Sequence, residues 1–265
     1  MAKGRWYQAV VQLLVAVALA LFSGIPFMPQ AAASPNQMTF YSTASDGTVW
    51  AEGFNYSAVH GAPSWGVYLG YEWLAVGQQS SALSVSHFEL YRGALFFDTS
   101  SLPDDAIMSS AVLSLYGDYD GSNVDFDITV VGGLGLHEPL NITDYHTLML
   151  KTESGGSFNT SGFSTSGYND IPLNETGRGW ISKTATTKLG LRSSRDIVPT
   201  EPPSLEVVQV YASEKGEGFK PRLVVTYSTP PTPRVPSLSQ WGMVALISLF
   251  AGLLVWTVRR RRPAL

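Results

Sequence analysis

Short apolar runs, separated by polar clusters, fill the chain from Met38 to Ser228. The clusters are rich in Gly, Asn, Asp, Ser and Pro, residues that end strands and start turns. The run Asp125–Val131 alternates apolar with polar side chains, so we expect a strand with one buried face and one face in water. No segment shows sustained helical periodicity.

Eight segments have the length and composition of β-strands. They are Gly47–Glu52, Val67–Val76, His87–Phe97, Ile107–Tyr116, Asp125–Val131, Lys188–Arg195, Glu206–Ala212 and Arg222–Tyr227. Short antiparallel strands at this spacing predict an all-β ectodomain over residues 38–228, built as an antiparallel β-sandwich or jelly roll.

The N-terminus has the pattern of a secretory signal peptide. Two basic residues precede the apolar run Ala9–Phe22, and Ala31 and Ala33 form an Ala-x-Ala site before Ser34. We expect a signal peptide over residues 1–33, cleaved after Ala33. The alternative is a retained N-terminal anchor.

The C-terminus predicts one transmembrane helix. Trp241–Val258 contains no charged residue and as a helix would extend about 27 Å at ~1.5 Å per residue, enough to cross the core of a bilayer. A basic cluster follows directly, and such clusters stay on the cytoplasmic side. It consists of Arg259, Arg260, Arg261 and Arg262. The expected precursor is anchored in the inner membrane with its N-terminus outside and its C-terminus inside.

A short motif and a spacer precede this helix. The spacer, residues 229–236, holds four prolines and favours an extended conformation. The motif is Val235, Pro236, Ser237, Leu238, Ser239, Gln240, Trp241 and Gly242. Motif, span and arginines over 235–265 resemble the IPTL-CTERM class of bacterial sorting signals, with Val and Ser in place of the usual Ile and Thr. The resemblance implies processing by an exosortase-like protease in a Gram-negative envelope; the alternative is an ordinary membrane anchor.

A second resemblance covers most of Tyr91–Tyr227. Tyr91–Pro103 is an Arg-led strand that ends in an Asp-x-Ser-Ser-Leu-Pro turn, and Ile107–Tyr116 is a strand that ends in Leu-x-Leu-Tyr. With the closing strand Lys220–Tyr227, this pattern resembles the DNRLRE (disaggregatase-related) family of extracellular β-sandwich modules. The family's likeness to carbohydrate-binding modules implies contact with glycans. Arg92 and Asp98 have opposite parity in the first strand, so we expect separate structural roles for them.

Composition excludes several classes of function. The chain has no cysteine, which rules out disulfides, Cys-based zinc sites and a Cys nucleophile. Of 17 Lys and Arg, two precede the first apolar run and four follow the last, which leaves eleven against 21 Asp and Glu. An ectodomain with this excess of negative charge is not expected to bind nucleic acid.

Catalytic motifs are missing from the sequence. The four histidines are scattered without metal-binding spacing, and no serine lies in a nucleophile elbow. We therefore expect that the protein is not an enzyme and binds no cofactor. A polysaccharide-acting enzyme is the least favoured alternative. One acidic group offers oxygen ligands for calcium, although a solvated turn is the favoured explanation of it. It comprises Asp118, Asp120, Asp125 and Asp127.

Aromatic residues crowd the segment from Trp50 to Trp73. Exposed rings can stack on sugars, and Glu72, Gln78 and Gln79 could supply hydrogen bonds. Side chains alternate between the two faces of the strand expected at Val67–Val76, and this places Tyr71 and Trp73 on the face expected to be buried. Trp65 and Tyr68 are therefore the candidate glycan-binding residues. The sequence thus predicts an exported, adhesive or structural protein of the cell surface or extracellular matrix, with a dedicated carbohydrate-binding module as the alternative.

The two terminal signals generate a first prediction. The mature protein should begin at Ser34, and a reporter fused after Leu265 should stay in the cytoplasm of cells lacking the sorting protease. N-terminal sequencing and reporter accessibility check this. A reporter exposed in the periplasm would refute the assigned orientation.

Overall fold

The structure is a computed structural model that describes residues 35–61, 63–81, 87–230 and 247–257. The described part of the compact unit Ser34–Pro230 contains twelve strands, and every pairing between them is antiparallel. Its helices are four to six residues long. The predicted all-β fold is confirmed.

The elements follow one another in this order. The strands are β1 Asn36–Tyr41, β2 Gly47–Gly53, β3 Gly66–Leu69, β4 Trp73–Ser81, β5 His87–Asp98, β6 Ile107–Ser122, β7 Asp127–Gly132, β8 Gly156–Asn159, β9 Tyr168–Pro172, β10 Thr186–Ser193, β11 Leu205–Tyr211 and β12 Arg222–Ser228. The helices are α1 Tyr56–Gly61, α2 Asp144–Met149, α3 Glu175–Gly179 and α4 Ser194–Ile197, with 3-10 turns at Thr160–Gly162 and Ser213–Lys215.

Several predicted features lie outside the described residues. They are the signal peptide 1–33 with Ala31, Ala33 and Ser34, the motif Val235–Gly242, most of the spacer 229–236 and the cluster Arg259–Arg262. Of the predicted span Trp241–Val258, residues 247–257 are described and form a helix, α5. Among the described residues, no helix combines the length and the apolar character that crossing a bilayer requires.

Two predicted strands end differently from the expectation. Val67–Val76 is not one strand, because Gly70 has φ 72°, a left-handed conformation, and the chain turns there between β3 and β4. Lys188–Arg195 is strand only as far as Ser193. The Ser193 side chain accepts a hydrogen bond from the backbone N–H of Arg195 and caps α4.

The strands form two groups joined by β6. This strand pairs with β12 and β9 through Ile107–Tyr116, and with β11 through Gly117–Ser122. β12 lies between β1 and β6. On the other side of the molecule, β11 pairs with β4, β4 with β5, and β5 also with β2 and β10. One long strand therefore connects both groups without a loop.

Apolar side chains from both groups fill one core, as in a sandwich. The first group contributes Phe40, Leu113, Leu115, Ile171, Leu223 and Val225, and the second contributes Leu74, Val76, Leu95, Phe97, Val130, Leu189, Leu191 and Val208. The fold is thus a sandwich-like all-β fold.

A second apolar cluster covers the other face of β5. Helices α1 and α2 pack there with β2 against alternate residues of β5 and against Val131 of β7. Thr129 and Val131 are both buried, so the expectation that this face lies in water is wrong for these two positions, whereas Asp125 is exposed and Asp127 half-buried. The short helices, invisible in the periodicity, are what cover it.

A buried ion network links the helices to the sheet. The Asp196 carboxylate of α4 accepts hydrogen bonds from Arg92 of β5, at 2.7 and 2.9 Å, and from Arg192 of β10, at 2.6 Å. Arg92 also donates to the carbonyls of Tyr145 and His60. All three charged side chains are at most 1% exposed. Burial alone would raise the pKa of Asp196, but the hydrogen bonds and charge of Arg92, together with His60 and Arg192, hold that pKa well below its usual range.

The structural roles expected for Arg92 and Asp98 are confirmed. Arg92 belongs to the buried network, whereas Asp98 is exposed and accepts hydrogen bonds from the backbone and hydroxyl of Ser100, at 3.1 and 2.6 Å. Asp98 therefore stabilises the turn after β5, as its position in the Asp-x-Ser-Ser pattern suggests.

Removing the central carboxylate should strongly destabilise the domain. Asp196→Asn leaves two buried guanidinium groups without a counter-charge, and we expect a loss of about 3–5 kcal/mol in the free energy of unfolding. Urea unfolding measures it. Glu72→Gln, which breaks the exposed Glu72–Lys215 pair, is the control and should cost less than about 1 kcal/mol. Equal effects of the two changes would contradict the central role of Asp196.

Candidate functional site

An aromatic cluster lies where β2, β3 and β4 come together. Pairing of β2 with β3 places Trp50 opposite Gly66, and the Trp50 and Tyr68 rings stack with centroids 5.5 Å apart and planes 12° apart. An added Cβ on Gly66 would lie 2.6 Å from Nε1 of Trp50, so the indole needs a glycine there. Tyr68 also contacts Tyr71 and Trp73, at 5.2 and 5.5 Å.

Tyr68 and Trp73 form part of the wall of a shallow groove of about 240 Å³ that crosses five strands. The lining residues are Tyr68 of β3, Trp73, Ala75 and Gln79 of β4, Tyr91 of β5, Tyr119 of β6, and Leu205, Val207 and Gln209 of β11. Four of these nine side chains are aromatic rings, and two are amides that can both donate and accept hydrogen bonds.

Strand alternation explains why these residues share one surface. On β4, Trp73 and Ala75 alternate with Leu74 and Val76, which belong to the core. On β11, the neighbour of β4, Val207 and Gln209 likewise alternate with core valines. At Gly77, which has φ 129°, an added Cβ would lie 2.0 Å from the carbonyl oxygen of Glu206. This glycine therefore permits the close approach of the two strands that form the groove floor.

Polar groups are arranged around the rings. The Tyr91 hydroxyl donates a hydrogen bond to the Glu89 carboxylate. Glu72, near Trp73 in sequence, pairs with Lys215 at 2.9 Å. Burial, followed by the charge of Glu89, raises the pKa of Tyr68, so its hydroxyl keeps its proton and stays a donor. Such a surface can stack on an apolar face and exchange hydrogen bonds with hydroxyl groups.

The predicted glycan-binding residues have different positions. Tyr68 is half-buried and lines the groove, whereas Trp65 is 62% exposed and is not among the lining residues. Tyr71, expected to be buried, is 47% exposed, and Trp73 is half-buried with a face in the groove. The expectation assumed one strand through Val67–Val76. The turn at Gly70 breaks that parity.

Sequence reasoning missed most of the groove. Tyr91 lies in the segment that resembles DNRLRE modules, Tyr119 lies within the acidic group, and Gln209 has no distinguishing feature in the sequence. They meet because β5, β6 and β11 are neighbours in space, and only strand pairing reveals that. Of the three predicted polar groups, Gln79 lines the groove, while Gln78 is fully buried.

The acidic group has separate hydrogen-bond partners. Asp120 accepts from Ser122, Asp125 from Thr160 and Asp127 from Asn159. In the part of the chain that the structure describes, the metal-ligating atoms that converge belong to Glu52, His87 and Glu89 instead. The calcium site stays a prediction.

No protein-family model matches the chain, and no curated protein matches it. Among solved structures, it is similar to a chain in a cryo-EM structure of mud crab tombus-like virus, at 12% identity over 80% of this chain and 92% of that chain. The TM-score is 0.27, too low to carry an argument about fold or function. The resemblances to DNRLRE modules and IPTL-CTERM signals therefore stay predictions.

One buried carboxyl group, Asp46, has a strongly shifted pKa. Asp46 is 1% exposed and accepts hydrogen bonds from the backbone and hydroxyl of Ser213, at 3.1 and 3.0 Å. Burial is the main reason that its pKa rises from 3.8 to about 7. The hydrogen bond from Ser42 lowers the pKa, whereas the nearby charge of Glu214 raises it further. Asp46 ties the β1–β2 turn to the segment after β11 and is not part of the groove lining.

This shift predicts a pH dependence of stability. The folded chain keeps the Asp46 proton up to about pH 7, whereas the unfolded chain loses it near 3.8, so its contribution is full below pH 3.8 and lost as pH rises through about 7. Relative to Asp46→Asn, the wild type should gain about 2–3 kcal/mol in unfolding free energy from about pH 8 to about pH 5. Urea unfolding at both pH values measures this. A difference that does not change with pH would contradict it.

Proposed function

We propose that this protein is an exported adhesive protein of the bacterial cell surface or extracellular matrix, and that its β-domain binds polysaccharide through the aromatic groove. The observation that carries the proposal is the wall of Tyr68, Trp73, Tyr91 and Tyr119 with the amides of Gln79 and Gln209. Flat rings stack on the apolar faces of sugars, and amides bond to their hydroxyl groups.

The size and shape of the groove favour a polymer over a small molecule. Pockets that enclose drug-sized ligands usually measure about 300–1,000 Å³. This groove, at about 240 Å³, is smaller and extends across several strands. A groove of this size and shape suits a polysaccharide that lies along the protein surface, with part of each sugar in contact with it.

The lining also favours binding over catalysis. Hydrolysis of a glycosidic bond uses two carboxyl groups on opposite sides of the bond. None of the nine lining residues is acidic, and the nearby Glu89 accepts a hydrogen bond from Tyr91. We therefore infer a binding module without enzymatic activity.

Export and sorting complete the proposal. The signal peptide over 1–33 and the tail over 235–265 would deliver the domain beyond the inner membrane, where an exosortase-like protease would process or transfer it. The excess of acidic residues disfavours nucleic acid as a ligand. The resemblance to DNRLRE modules agrees with a role as a surface appendage.

Removal of a groove ring should weaken polysaccharide binding. Tyr119 is 46% exposed, so Tyr119→Ala should leave the fold intact while it removes a stacking surface. We expect retention by the bound polysaccharide to weaken roughly tenfold, equivalent to ~1.4 kcal/mol. Affinity electrophoresis of the exported protein against a panel of envelope and matrix polysaccharides measures this.

Tyr41→Ala is the matched control for that experiment. Tyr41 is another exposed strand tyrosine, at 52%, and does not line the groove. Its removal should leave retention unchanged. The proposal is wrong if the wild type is retained by none of the polysaccharides, or if both variants lose retention equally.

A further inference from the structure

A histidine and two glutamates converge beside the groove, on β2 and β5. Glu52 and Glu89 are direct partners in the antiparallel pairing of these strands, and His87 lies two residues from Glu89 on the same face. Nε2 of His87 is 3.6 Å from Glu52, and Nδ1 is 3.8 Å from Glu89. One ligand atom from each residue lies within 4.8 Å of the other two.

The arrangement leaves two negative charges facing each other. Like charges at directly opposed positions destabilise a pair of strands. The His87 nitrogens lie 3.6 and 3.8 Å from the two carboxylates, beyond hydrogen-bond length, so no hydrogen bond from His87 offsets this conflict. A cation between the three side chains would resolve it.

Neighbouring side chains orient two of the three residues, Glu89 and His87. The Tyr91 hydroxyl donates to Oε2 of Glu89, which leaves Oε1 free to face His87. Phe54 packs edge-on against the His87 ring at 5.4 Å. Carboxylates and imidazoles that bind metals are typically oriented by neighbouring groups in this way.

We propose that Glu52, His87 and Glu89 bind one divalent transition-metal ion, with zinc as the preferred ion. An imidazole nitrogen among the donors favours zinc over calcium or magnesium, which take oxygen ligands. Zinc binds imidazole nitrogen and carboxylate oxygen at about 2.0–2.2 Å. The three ligand atoms must therefore move to within ~3.4 Å of one another. The side chains are 24–29% exposed, so they have room to make this small movement. Three protein ligands leave a fourth position for water or a ligand.

Zinc titration of the full chain, purified without a histidine tag and stripped with EDTA, tests the proposal. We expect one zinc ion per chain by calorimetry and a higher melting temperature with zinc chloride than with calcium chloride. His87→Ala should weaken zinc binding by roughly 100-fold or more, since losing a ligand costs more than the ~10- to 100-fold loss for an outer partner. Glu52→Gln, nearly the same size and shape as the wild-type side chain, should also weaken it.

His146→Ala is the matched control, because His146 is an exposed histidine on α2 and is not one of the three converging residues. This variant should bind zinc as the wild type does. The proposal is overturned if the wild type binds no zinc, or if His87→Ala and Glu52→Gln both bind it with wild-type affinity. Because the readout is metal binding, it is independent of whether the groove binds polysaccharide.

Discussion

The buried contact of Asp196 with Arg92 and Arg192 is the interaction on which the rest of the domain depends. It joins α4 to β5 and β10, and through the Tyr145 and His60 carbonyls it also fixes α2 and α1. The guanidinium of Arg92 also lies 4.0 Å from the centre of the Tyr145 ring. In a chain without disulfides, these bonds hold together segments more than a hundred residues apart. They fix the helices that close the second apolar cluster.

A neighbouring polar network connects this interior to the groove. Gln78 of β4 accepts from the Tyr56 hydroxyl and donates to Glu206, its direct partner on β11, and Arg195 of α4 donates to the same carboxylate. The next residue of β4, Gln79, lines the groove. Because successive strand residues point to opposite faces, the buried bonds at Gln78 and Glu206 fix the pairing that carries the groove floor. The groove floor and the interior therefore share the same two strands.

The sequence predicted the fold class and most strands, because short apolar runs separated by polar clusters report on which segments form strands and reach the core. It also predicted structural roles for Arg92 and Asp98 from their opposite parity. It could not predict the groove, since Tyr91, Tyr119 and Gln209 meet only through pairing of distant strands. Nor could it predict the turn at Gly70: glycine permits a left-handed φ without requiring it. The grouping of His87 with Glu52 depends in the same way on the register of β2 against β5.

The position of β12 has a mechanical consequence. It is the last strand among the described residues, so tension applied from the C-terminal side would enter the domain there. It is bonded along its length to β1 on one side and β6 on the other. Traction on the tail would therefore have to rupture two ladders of backbone bonds at once before the strand detached. A molecule tethered by this end resists extraction better than one held through a strand at the margin of its sheet.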